Sequence, residues 1–146
     1  MSFSDEFNKS ADIILAQGCE KLALNTGIVS NICFDIYEIV ALKSNNPNSK
    51  TGATFDLGET YCREVVTLGG TVAITELAGM PGLQGHPLYS SMPLETYIST
   101  PIYFEGKIWG TLNFSSQVIR DKEFSSQDRQ WLEDSALKLS KLLHKQ

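Results

Sequence analysis

The stretch GETYC puts Cys62 just after the glycine turn at Gly58 and just ahead of REVV. A cysteine so placed can be a thiolate nucleophile, a covalent anchor for a chromophore, or a small apolar core residue. A position near a helix N-terminus lowers a thiol pKa, which favours the first two. Against them, Cys62 shares a helical stripe with Val66 and has no lysine beside it. Arg63 follows it but points away around the helix. We read Cys62 as a core or pocket-wall residue ahead of a reactive thiol. The other cysteines, Cys19 and Cys33, fall on apolar faces. The three are far apart, odd in number and without a CxxC pair, which points to free thiols. The only histidines are His86 and His144, and nothing in their spacing suggests a metal site. His144 is near the terminus and reads as solvated. His86, between Gly85 and Pro87, can either bond a backbone carbonyl and fix its loop or touch a ligand. Tyr89 has the same two readings.

The elements that must position these residues follow from periodicity. Phe7, Ala11, Ile14, Leu15, Cys19 and Leu22 recur at helical steps, so Ser4 to Leu24 reads as a helix. NTG ends it, with Gly27 available for a left-handed cap. Ile28 to Cys33 and Ile36 to Lys43 read as a hairpin, although Phe34-Asp35 lacks the glycine usual in a tight turn. SNNPNSKTG is a loop. ETYCREVVTLGG holds a short helix stopped by Gly69-Gly70, and TVAITEL is a strand. The glycine- and proline-rich AGMPGLQGHPLYSSMP is long for a connector, a length typical of binding loops.

Two strands then flank EGK, with Gly106 in the turn. Strict alternation sends Ile108, Gly110, Leu112 and Phe114 to one face. It sends Trp109, Thr111, Asn113 and Ser115 to the other. Tyr97 and Ser99 alternate the same way on the neighbouring strand. The last helix opens at Ser125, with Asp128 at capping-box spacing. Its stripe is Trp131, Leu132, Ala136, Leu139, Leu142 and Leu143. The order predicts an α+β fold with a largely antiparallel sheet, its terminal helices sharing one face.

The 146 residues suit a single domain spanning 1–146. Hydrophobic residues at 42% and charged residues at 20% fit a soluble globular chain. A net charge of −5 with no basic cluster argues against nucleic acid and anionic membrane partners. The N-terminus does not read as a signal peptide, no run is long enough for a membrane span, and a cytoplasmic protein is expected.

Taken in order, GIVSNICFDIYEIVAL, FDLGETYCREVV, TVAITEL, GHPLYSS, YISTPIYFEGKIWGTLNFSS and FSSQDRQWLE resemble a GAF domain, most closely those of bacterial signalling proteins. The resemblance runs from about Phe7 to Leu143. It implies a GAF-like (profilin-like) sheet of five or six antiparallel strands. The terminal helices would lie on one face and often pair with a second chain. Short helices and the long loop would roof a small-molecule pocket on the other face.

That pocket would be lined by Tyr61, Cys62, His86, Tyr89, Tyr97, Ser99, Trp109, Thr111 and Asn113. The implied role is sensory: an unidentified small molecule binds, no catalysis follows, and a homodimer through the terminal helices carries the signal. The resemblance names no cofactor. Its alternative is a structural or interaction module whose pocket is filled by Trp109, Tyr97 and Tyr61.

Free methionine-(R)-sulfoxide reductases of the family also stand alone. Cys62 matches one of their cysteines, but the positions of the attacking and third cysteines hold no thiol here. Tyr97, Asn113 and Ser115 stand where they have acids. Bilin-binding members carry Cys-His, whereas Arg63 follows Cys62. The Asn-Lys-Phe-Asp-Glu signature of cyclic-nucleotide binders is not found.

Overall fold

The apolar stripe predicted for the first helix is spent on the sheet. In the computed structural model, which describes residues 5–44, 51–57, 62–74, 95–118, 120 and 122–143, helix α1 spans Asp5–Leu22. It buries Phe7, Ala11, Ile14, Leu15, Cys19 and Leu22. Its outward side is mostly charged or polar, with Ile13 exposed.

The helix does not use Gly27 as its cap. Ala23 takes the left-handed conformation at φ 57°. Its N–H donates to the Glu20 carbonyl at 3.3 Å, and that of Leu24 to the Cys19 carbonyl at 3.1 Å. This pair of bonds is a Schellman motif with alanine in the glycine position. Leu24 can then follow Cys19 into the core. Gly27 belongs to strand β1, Thr26–Cys33.

The remaining elements among the described residues are β2 Ile36–Lys43, β3 Thr54–Asp56, α2 Cys62–Leu68, β4 Val72–Ile74, β5 Thr96–Phe104, β6 Lys107–Ser116 and α3 Ser126–Leu143. The six strands form one sheet in the order β3-β2-β1-β6-β5-β4, with every pair antiparallel. Strand β3 was not anticipated: it is short, edge-lying and half out of the core. The β1–β2 turn forms without glycine. Phe34 (φ 51°) and Asp35 (φ 64°) both sit in the left-handed region, as the twist of a two-residue hairpin demands. That conformation costs about 1 kcal/mol per non-glycine residue. The β5–β6 turn has the same form at Glu105 and Gly106.

Helix α3 opens with the expected box. The Asp128 N–H donates to Ser125 Oγ at 3.0 Å, and the Ser125 N–H donates to Asp128 Oδ2 at 3.1 Å. Two cores result. One lies between the sheet and helices α1 and α3, built on Phe7, Leu15, Val29, Ile98, Leu112, Phe114, Leu132 and Leu139. The other lies on the opposite face, where Tyr37, Ile39, Leu57, Ile74 and Tyr97 meet Val65 of α2. No helix among the described residues is long and apolar enough to cross a membrane.

Candidate ligand-binding face

The sheet face away from α1 and α3 carries a buried row of polar side chains. Thr111, Asn113 and Ser115 of β6 alternate onto it as expected. Register puts Ser30 of β1 beside Thr111. It puts Ser99 and Tyr97 of β5 beside Asn113 and Ser115. Ser30, Ser99 and Thr111 are fully buried, and Tyr97, Asn113 and Ser115 nearly so.

Most of these groups are bonded to one another. Ser30 Oγ and Thr111 Oγ1 share a hydrogen bond of 2.7 Å. The Asn113 amide donates from Nδ2 to Thr111 Oγ1 at 3.2 Å and to the Tyr37 hydroxyl at 3.3 Å. The Thr111 N–H donates to Ser30 Oγ at 3.1 Å. Ser99 differs: its Oγ is buried and has no hydrogen-bond partner among the described residues. A buried hydroxyl left so costs roughly 1–3 kcal/mol.

Trp109 is not on this face. Ile102 pairs with Gly110, but Tyr103 pairs with Ile108, so Trp109 is the extra residue of a β-bulge. The bulge turns its side chain toward the helices, where its ring meets Phe7 edge-on at 5.8 Å and 71°. Gly110 permits this, because a Cβ there would stand 1.8 Å from the Ser30 carbonyl oxygen. Side chains of β1 fasten the bulge. Asn31 Nδ2 donates to the Trp109 carbonyl at 2.9 Å, and Ser30 Oγ takes the Thr111 N–H.

Sequence reasoning missed Ser30 and Tyr37. The signal was the polar pair Ser30-Asn31 set between Ile28-Val29 and Ile32 in β1. Of the other predicted site residues, Tyr61, His86 and Tyr89, with the Gly79–Met92 loop, lie outside the described residues. Cys62 begins α2, but its side chain lies outside them too. The structure therefore brings together Tyr97, Ser99, Thr111 and Asn113, and it separates Trp109 from them.

The described thiols are elsewhere. Cys33 is exposed at the hairpin tip, and Cys19 is in the helix-side core. Burial pushes the Cys19 thiol up, against a smaller downward pull from Lys43. Two further concavities lie off the polar row. One, of about 480 Å³, is lined by Phe34, Asp35, Asp56, Leu57, Arg63 and Val66. The other, of about 300 Å³, runs between α3 and β5 past Thr71, Thr100, Tyr103, Glu133 and Leu137. No His/Cys/Asp/Glu cluster suited to a metal occurs among the described residues.

A family model described as the GAF domain matches residues 9–143. The chain belongs to the GAF family. Solved structures agree on the fold at low identity. The GAF domain of a phosphoenolpyruvate-protein phosphotransferase from Coxiella burnetii superposes with a TM-score of 0.77 at 14% identity, covering 97% of this chain and 84% of that one. The corresponding Acinetobacter domain gives 0.76 at 16%, covering 95% and 82%. A type II free methionine-R-sulfoxide reductase from Thermoplasma acidophilum gives 0.70 at 16%, covering 97% and 96%. No curated protein matches the sequence. Neighbours this dissimilar in sequence establish architecture, and an enzyme stands among them beside signalling domains, so function must be argued from the site.

Proposed function

We propose that this GAF domain is a ligand-binding sensory or regulatory module without catalytic activity. The observation that carries the reading is the buried row of Ser30, Thr111, Asn113 and Ser99 on the sheet face opposite the terminal helices. A second core face optimised only for stability would hold apolar side chains there. Polar groups buried at a domain surface layer are how small-molecule pockets fix orientation. The position of Trp109 favours binding over the self-filled alternative, since the largest of the three suggested plugs packs against Phe7 instead.

Chemistry supports the non-catalytic half. Neither Cys19 nor Cys33 lies on the row, and the raised pKa of Cys19 makes it a poor thiolate. The output of the reading is a homodimer through α1 and α3. Ile13 and Leu137, apolar and more than half exposed on those helices, support it.

Native mass spectrometry of protein purified without added ligand tests the binding half. We expect extra mass that is lost on denaturation. Bare mass, with no small molecule raising Tm, would reject it. Turnover of free methionine sulfoxide with thioredoxin would reject the non-catalytic half.

A further inference from the structure

Among the described residues, every buried polar side chain is a hydroxyl or an amide. They are Ser30, Thr96, Ser99, Thr100, Thr111, Asn113, Ser115, Ser116 and Ser135, and no carboxylate, ammonium or guanidinium is buried with them. The composition of the row decides what can sit on it. An ionic group brought there loses its hydration, a large penalty, and recovers it only against an opposite charge. The row offers none. Hydroxyls have the opposite virtue, since each can rotate to donate or accept.

Within this row Ser30 and Thr111 are already committed to each other and to the backbone of the β6 bulge. Both protons of the Asn113 amide nitrogen are directed at Tyr37 and Thr111. Ser99 Oγ is fully buried with no hydrogen-bond partner among the described residues, and it sits on the strand position opposite Asn113. A sequence that wanted only packing would place alanine there and lose nothing. The formally charged side chains near this layer, Asp35, Asp56 and Arg63, line the separate concavity at the hairpin tip.

We propose that the ligand of this face is an uncharged, hydrogen-bonding small molecule, and that Ser99 is the hydroxyl whose hydrogen bond the ligand completes. The proposal rests on the binding reading above and adds the chemical class and the anchoring residue. Phosphorylated, carboxylated and polyamine ligands are disfavoured on this floor. Amides, lactams and polyols fit it.

Thermal unfolding of the full chain and of Ser99→Ala tests this, each alone and with millimolar probes of two kinds. Nicotinamide, uracil and glycerol are uncharged; AMP, glutamate and spermidine are charged. Without probe, Ser99→Ala should melt higher than the parent, by about 3 °C or more, because it removes an unsatisfied buried hydroxyl. At least one uncharged probe should raise the parent Tm, and should raise that of Ser99→Ala markedly less. A lower Tm for probe-free Ser99→Ala would mean that the hydroxyl holds the fold together, and would overturn the assignment of Ser99. Stabilisation by charged probes alone, lost in Ser99→Ala, would overturn the ligand class and leave the binding reading standing. Silence from both kinds of probe in both proteins would remove the binding reading and the proposal with it.

Discussion

Arg120 ties the end of one terminal helix to the start of the other. Its Nη1 donates to the Leu22 carbonyl oxygen, in the last turn of α1, at 2.5 Å. Its Nη2 stands 3.7 Å from Asp128 Oδ2, in the first turn of α3. The guanidinium also lies over the Phe124 ring, 4.4 Å from its centroid. A helix C-terminus leaves carbonyls without partners, and a half-buried cation there satisfies one while favouring the negative end of the helix dipole. Arg120→Ala should therefore destabilise the domain by about 2 kcal/mol. Hydrogen exchange should quicken in the last turn of α1 and the first turn of α3. Unchanged exchange in both turns would show that the clamp holds nothing.

The other fixed point of α1 is a steric one. A Cβ on Gly18 would stand 2.1 Å from Phe114 Cζ, and one on Gly27 would stand 2.8 Å from Phe114 Cε1. The ring cannot retreat. It is fully buried and flanked by Trp131, whose ring centroid is 6.0 Å away. Gly18→Ala must lift the helix from the sheet, at a cost of about 2–3 kcal/mol. Phe114→Leu would open room, so the double variant Gly18→Ala/Phe114→Leu should lose less than the sum of the two single changes. Chemical denaturation of all four proteins measures the coupling. Strict additivity would mean the helix has another way to yield.

Much of this architecture was legible because two periods dominate the chain. The stripes of α1 and α3, the Ser125–Asp128 box and the alternation of β5 and β6 each follow from one local rule. What escaped depended on the register between strands. The bulge at Trp109 exists because β6 runs one residue ahead of β5, and strict alternation along β6 cannot show that. Gly110 was its sequence trace: a glycine inside a strand marks a bulge or a close backbone approach. Ser30 was missed for the same reason, since its role comes from meeting Thr111 across the ladder. Strand β3 is only Thr54–Asp56, too short for a period to show. Ala23 escaped because the motif that holds it left-handed is satisfied by Leu24 entering the core, a tertiary gain.

Ala23 is consequently an improvable residue. Its φ of 57° suits glycine, and its side chain is exposed. Ala23→Gly keeps both capping bonds and removes the left-handed penalty, against a small loss of chain stiffness in the unfolded state. The expected gain is about 0.5–1 kcal/mol, seen as a higher Tm. A fall in Tm would mean that the unfolded-state entropy outweighs the strain.

The bulge makes a prediction that separates stability from binding. Trp109 packs edge-on against Phe7 and belongs to the helix-side core, while the polar row lies on the opposite face. Trp109 is only partly buried, so Trp109→Ala should destabilise the domain by about 2 kcal/mol, below the range of fully buried aromatic truncations. At a temperature where both proteins are folded, the affinity for any ligand that stabilises the parent should change less than twofold. Thr111→Val should move both, costing about 1–3 kcal/mol of stability because it leaves buried Ser30 and Asn113 each short of a partner. It keeps the volume, removes the hydroxyl that Ser30 and Asn113 both use, and should weaken that ligand by tenfold or more. Calorimetric titration of both variants decides the matter. A large loss of affinity in Trp109→Ala alone would return Trp109 to the binding face and void the bulge as the element that divides the two sides of the sheet.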